Sequence, residues 1–206
     1  MRESAMESQA KSNGKVIVVT GTPGVGKTSI SRRLAEVLNA LHIDLSSFVI
    51  ERGLYMKYDE EAESYVIDEE RVIEELRKVI EERELVIVDS HYGEIIPEDY
   101  VTLVVVLRID PVELWNRLIK RGWRKAKVRE NVEAELLSIC TINAMEAYGE
   151  NKVFEVDTTG KEVSEVLNEV LRIIRGEGIS GHRIDWLNIK NLSELEEVIR
   201  VLSEVN

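Results

Sequence analysis

The stretch Gly21-Thr-Pro-Gly-Val-Gly-Lys-Thr28 decides how the rest of the chain is read. It fits G-x-x-x-x-G-K-[ST], a loop in which Gly21, Gly24 and Gly26 let the backbone wrap a polyphosphate without Cβ clashes. Its flanks are the ones such a loop needs. Lys15–Thr20, KVIVVT, is a short apolar run rich in β-branched residues, as expected of a strand. After the loop, Ile30, Leu34, Val37, Leu38 and Leu41 recur at helical spacing. Strand, glycine loop and helix together aim backbone N–H groups and a helix N-terminus at an anion. Lys27 then supplies a point charge to the β- and γ-phosphates, and the Thr28 hydroxyl is a ligand for Mg²⁺. The stretch implies a nucleoside triphosphate site.

Leu85–Asp89, LVIVD, is a continuous apolar run ending in a carboxylate, the pattern of a strand buried on both faces. An aspartate closing such a strand, downstream of the glycine loop, is where enzymes with this loop place the carboxylate that holds Mg²⁺. Two residues on, His91 projects from the following loop toward the same crevice, where it could orient a water or an acceptor hydroxyl, or bond a phosphate. Lys120–Arg129, KRGWRKAKVR, carries six basic residues in ten within a chain of net charge −12. Such a local excess suits a clamp on a transferring phosphoryl group, an effect worth on the order of 10³ or more in rate. Arg121 and Arg124 are its best candidates, because Gly122 lets the segment hinge. Trp123 could stack on a base. His42 and His182 lack any such context and read as structural or exposed.

The other elements fall around these anchors. Residues 1–13 are polar and aperiodic and read as a disordered leader. Leu41–Asp44 is a second strand, and Leu45–Tyr65 is irregular with weak helical character at Ser47–Arg52. Asp68 opens a helix with Val72, Ile73, Leu76, Val79 and Ile80 on one face. Thr102–Leu107 is another buried strand, and Asp110-Pro111-Val112-Glu113 starts a helix that buries Leu114, Trp115, Leu118 and Ile119. A longer helix runs from about Glu130 to Ala147, and Lys152–Val156 is the last strand. Thr159 and Glu162 then form a capping box for a helix to about Arg175. Strands alternating with helices indicate an α/β fold, a parallel sheet covered on both faces. Three glycines in Gly176–Gly181 end the alternation, and residues 176–206 read as a helical appendix packed on the main domain, too short to be one itself.

Composition excludes several classes. The net charge of −12 argues against non-specific coating of nucleic acid. Cys140, the only cysteine, allows neither an intramolecular disulfide nor a cysteine zinc cluster, and its apolar neighbours make it a buried small hydrophobe. No apolar stretch approaches the length of a membrane span and no signal-peptide core is visible. The chain reads as cytoplasmic, or nuclear in a eukaryote. The N-K-x-D motif of a guanine-reading switch is absent.

GTPGVGKT, the acidic segment before the helix at Asp68, VDSH, VLRIDP and KRGW together resemble the family of the sixth adenylate kinase isoenzyme. These are nuclear or archaeal nucleoside-monophosphate-kinase-like ATPases of small-ribosomal-subunit assembly. The resemblance covers roughly residues 15–172. It implies a P-loop NTPase of the three-layer NMP-kinase type with a parallel five-stranded sheet and mobile NMP-binding and lid segments. The NMP segment would lie at 44–67 and the lid at 120–130, within a kinase domain of residues 14–175. It implies ATP on Gly24, Gly26, Lys27, Thr28 and Ser29, with Arg121 from the lid; Gly21, Val25 and Arg124 complete the expected ATP-binding set. The aspartate and histidine of the D-x-H motif map onto Asp89 and His91, and the catalytic set becomes Lys27, Asp89, His91 and Arg121. Thr28 and Asp89 would hold Mg²⁺.

Two departures from ordinary adenylate kinases stand out. Those kinases follow the strand-end aspartate with glycine, a short spacer, proline and arginine; Asp89-Ser-His-Tyr-Gly93 lacks that arginine, and Arg52 is the only arginine between Asp44 and Ile67. Two activities therefore stay open. One is phosphoryl transfer from Mg-ATP to AMP with accompanying ATPase activity in small-subunit maturation. The other is an assembly ATPase, with water as the acceptor, acting on a small-subunit ribosomal protein in a pre-ribosomal particle.

Overall fold

Val16–Thr20 is buried along its whole length, and this strand, β1, forms the middle of the molecule. The computed structural model describes residues 15–60, 64–190 and 192–203, without the side chains of residues 189 and 192. The leader expected at residues 1–13 lies outside the described residues. A five-stranded sheet is built around β1 from β2 (Leu41–Asp44), β5 (Val86–Asp89), β6 (Val101–Arg108) and β7 (Val153–Asp157). Its order is β2-β5-β1-β6-β7, and all four pairings are parallel.

Strand periodicity sorts the core into two layers. Ile17 and Val19 of β1 face one side with Leu103, Val105 and Leu107 of β6, while Val16 and Val18 face the other with Val104 and Val106. The first side is covered by α1 (Lys27–Leu38), α4 (Pro111–Lys120), α5 (Lys125–Leu136) and α7 (Val163–Arg172). The second is covered by α2 (Leu45–Glu51), α3 (Glu69–Glu81) and α6 (Ile139–Tyr148). Helices on both faces are what a sheet buried on both faces requires, so the three-layer α/β architecture follows directly from the apolar strands. In α3, Val72, Leu76 and Ile80 are fully buried, each worth roughly 1.5–3 kcal/mol. Asp68 caps it by accepting from Arg71 N.

The structure departs from the sequence reading in five places. Leu45–Tyr65, expected to be irregular apart from weak helical character at Ser47–Arg52, carries that helix as α2 and then enters an antiparallel hairpin of β3 (Tyr55–Asp59) and β4 (Ser64–Ile67). Residues 61–63 of its turn lie outside the described residues. The hairpin's strands are mostly exposed, so no buried apolar pattern announces them. The helix expected over 130–147 is two helices, because Ser138 adopts left-handed φ and ψ of 57° and 30° between them. The capping box of α7 is formed by Glu162 and Glu165; Thr159 accepts from Asp110 N and donates to Asp157. That helix ends at Arg172 and continues as a wider turn over Ile173–Glu177. Ile119 is 36% exposed, at the outer edge of the face that buries Leu114, Trp115 and Leu118.

Beyond Gly181 the chain returns to the main body. Asp185 caps the short helix α8 (Trp186–Ile189), which buries Trp186. The last helix, α9 (Leu192–Ser203), packs on α4 and sets Val198 and Val201 inside. No helix among the described residues is long and apolar enough to cross a membrane.

Candidate active site

The glycine loop joins β1 to α1 at the carboxyl edge of the sheet, where ligands of open parallel sheets bind. Gly21 has φ of +135°, and a Cβ there would stand 2.3 Å from the Leu107 carbonyl oxygen, so the loop is pressed against β6. A Cβ on Gly24 would meet Leu118 and Leu114 of α4 at 2.9 and 3.0 Å. Only glycine fits either position. Gly26, also left-handed, precedes α1, whose N-terminus has no side-chain cap, so its first N–H groups are left for an anion. Val25 turns its side chain into the core and can offer a ligand only backbone. Thr28 is half-buried in the first turn of α1, and Ser29 beside it is exposed.

Lys27 folds back over this loop. Its Nζ donates to the carbonyl oxygens of Gly21 at 2.9 Å and Thr22 at 3.1 Å. Burial holds its pKa below the usual lysine value; Asp89 and Asp44 oppose that shift and the nearby Arg121 guanidinium adds to it. Lysine and arginine thus sit near enough to repel each other, which suits two cations waiting for a polyphosphate. Arg121 itself is exposed at the C-terminus of α4. Arg124 is exposed just before α5, so both arginines lie in a four-residue turn, 121–124, between two helices that pack together, and the rest of the basic segment belongs to those helices.

Parallel pairing fixes the carboxylate. Asp89 lies opposite Val19 on one side and Asp44 on the other, at the level where β1 gives way to the loop. It is 4% exposed, and its Oδ2 is 3.1 Å from Nε2 of His42 on the neighbouring strand. No second hydrogen bond to the Asp89 side chain occurs among the described residues, leaving lone pairs for a cation or its waters. This corrects the sequence reading of His42 as a residue without context. The same reading holds for His182, which bonds Ser138 Oγ and the Ile184 carbonyl away from the loop.

His91 follows Asp89 into a half-buried position, its ring 4.1 Å from that of Tyr92. Its pKa is pushed down to about 4 by burial first, then by Lys27 and Lys127. At neutral pH the imidazole is uncharged. A nitrogen of such a ring can direct a water or hydroxyl by hydrogen bonding without adding to the positive charge of the site. Around it an apolar cavity of about 200 Å³ is lined by Leu45, Val49 and Ile50 of α2, Tyr65 and Ile67 of the hairpin, and Ser90. Cys140 plays no such part: it is half-buried against the second core layer, and burial raises its thiol to about 11.

Two contacts were not foreseen besides that of His42. Arg117, one turn before Arg121 on α4, donates to the Gly24 carbonyl at 3.3 Å while held by Glu113 at 2.6 Å. Its position four residues before Arg121 was the available signal, since such residues share a helix face. Thr22 of the loop donates to the buried Glu135 at 2.8 Å, and nothing in the linear pattern connects residues so far apart.

The oxygen donors of Thr28 and Asp89 fit magnesium, which takes few protein ligands and keeps its own water. Groups of three or more His, Cys, Asp or Glu able to hold a metal do not occur among the described residues.

Comparison with known proteins agrees with this geometry. A family described as "AAA domain" matches residues 17–138. A Saccharolobus solfataricus protein named "Putative adenylate kinase" is 46% identical over 189 residues, covering 91% of this chain and 96% of its own. One of the same name from Pyrococcus furiosus is 39% identical over 192 residues, covering 91% and 97%. Among solved structures, shikimate kinase from Bacteroides thetaiotaomicron superposes with a TM-score of 0.55 at 19% identity, covering 78% of this chain and 98% of that one. Shikimate kinase from Acinetobacter baumannii, in complex with shikimate, gives 0.55 at 20% identity, with 81% and 96% covered. At those identities the likeness is one of fold, a P-loop kinase fold. The identities to the archaeal proteins, sustained over nearly the full length of both partners, go further: the chain belongs to their family.

Proposed function

We propose that this protein transfers the γ-phosphoryl group of ATP to a nucleoside monophosphate, AMP in the first place, and hydrolyses ATP alongside. The observation that carries this reading is the apolar cavity opening at Ser90 and His91, next in sequence to the buried Asp89. A base and ribose present flat, largely apolar surface, and Leu45, Val49, Tyr65 and Ile67 offer a matching one. The family's name in archaea supports the same donor and acceptor. Phosphoryl transfer asks a protein mainly to position and to stabilise charge. Lys27 and Arg121 neutralise the transferring group, the N-terminus of α1 holds its oxygens, and Thr28 and Asp89 would hold magnesium. When bound, that ion would neutralise part of the charge on the phosphates. Residues 44–67 then receive the acceptor and 120–130 cover the donor, within one kinase domain of residues 14–175 to which 176–206 are an appendix.

A second reading has its own observation. Among the described residues, those lining the acceptor cavity include no lysine or arginine, so a monophosphate meets no guanidinium from them. With water as the acceptor that lack is immaterial, and the neutral His91 becomes the residue that directs it. The resemblance carried by VDSH and KRGW supports this reading, with a small-subunit ribosomal protein in a pre-ribosomal particle as the partner. The two readings separate in one assay, following ADP and inorganic phosphate with and without AMP. ADP formed in excess of phosphate only when AMP is present establishes the kinase. ADP and phosphate formed in equal amounts with or without AMP establish the ATPase.

A further inference from the structure

Behind the loop lies a buried polar cluster that the chemistry above does not use. Glu135 of α5 is 1% exposed, and its two oxygens serve different partners. Oε2 accepts from Thr22 Oγ1 at 2.8 Å. Oε1 accepts from Arg108 Nε at 2.7 Å, Trp186 Nε1 at 3.0 Å and Ile109 N at 3.2 Å. Arg108, also 1% exposed at the end of β6, donates further to the Glu135 carbonyl at 2.9 Å and Ser138 Oγ at 3.0 Å, and pairs with Glu155 of β7. An ion cluster this deep is a poor source of stability, because desolvation offsets most of its Coulomb gain. It does impose geometry, since Arg108 and Glu135 are each held by several directional bonds.

The geometry ends on the catalytic lysine. Thr22, 2% exposed, and Gly21 provide the two carbonyl oxygens that hold Lys27 Nζ. The peptide unit joining them is pressed on β6 through Gly21 and tied to α5 through the Thr22 hydroxyl. We propose that Glu135 is a positioning residue: through Thr22 Oγ1 it fixes the carbonyls that place Lys27, and so acts on the chemical step although it is itself buried. The inference rests on reading the loop as the ATP site.

Thr22→Val removes the hydroxyl at nearly constant shape, Thr22→Ser keeps it, and Lys27→Ala is the control for the loop itself. Steady-state ADP formation and thermal unfolding are measured on each. The expected result is a kcat about tenfold or more lower in Thr22→Val, little change in KM for ATP, and recovery in Thr22→Ser. A Thr22→Val protein that melts earlier yet keeps wild-type kcat well below its melting temperature overturns the proposal, as does a Thr22→Ser as impaired as Thr22→Val. If Thr22→Val does not fold, Thr22→Cys, smaller and only a weak donor, must show the same fall. Wild-type turnover in Lys27→Ala would instead overturn the reading of the loop, a different outcome from failure of Thr22→Val alone.

Discussion

The donor side of the site and its acceptor side are built by opposite means. Around Gly21 and Gly24 the backbone is packed so closely that a single methyl would strike Leu107 or Leu118, and the lysine is held by the loop's own carbonyls. Around His91 the walls are side chains of a short helix and a hairpin whose residues Met56 and Tyr58 are 69% and 50% exposed. A surface made of main chain admits one sequence pattern, whereas a surface made of side chains can be repacked. Constancy of the donor and freedom of the acceptor are therefore separable properties here, and substitutions on each side should behave differently.

The sharpest contrast is expected from Lys27→Ala. It should lose on the order of 10³ or more in turnover with every acceptor, since it removes charge from the transferring group. A folded variant with near-normal hydrolysis would break the comparison at its root. His91→Ala stands between the two sides. Hydrolysis should fall by roughly 10²–10⁴, with ATP binding retained, and transfer to AMP should suffer less, because AMP brings its own nucleophilic oxygen. Equal losses would make His91 an organiser of the whole site. Tyr65→Ala, wholly on the acceptor side, should raise KM for AMP by about three- to tenfold and leave hydrolysis untouched. If hydrolysis falls with it, the hairpin serves the donor as well.

The last contrast concerns stability and pH. The folded pKa of His91, about 4, lies below the ordinary 6.5, so the unfolded chain binds more protons between those values. Stability from this residue is complete above about pH 6.5 and is lost as pH falls toward 4, by at most about 3 kcal/mol. Denaturant titrations of wild type and His91→Ala across that range should converge as the solution is acidified. Parallel curves would show that the imidazole is not held neutral by the fold.

The legibility of the molecule follows the same division. The glycine loop, the apolar strands and Asp89 were readable because each reflects a local rule: a conformation only glycine adopts, burial on both faces, a carboxylate at a strand end. The hairpin was not, since its strands bury nothing that alternates. His42 reads as an ordinary histidine until the register of β2 against β5 sets it on Asp89. Arg108, inside the apolar VLRID, did carry a signal, for a buried arginine must be paired. Its partners lie 27 and 47 residues away, and only the folded chain brings them together.

The left-handed Ser138 separates α5, which packs on the first core layer, from α6, which packs on the second. The break is thus a crossing from one side of the sheet to the other, and it makes the chain's length count unequally. Each residue inserted into α5 ahead of Glu135 would turn that carboxylate by about 100° around the helix, off Thr22 and Arg108 together. A residue inserted after Ser138 would leave both helices in phase with their own layers. The turn behaves as the slack in a belt, taking up changes of length that the helix before it cannot.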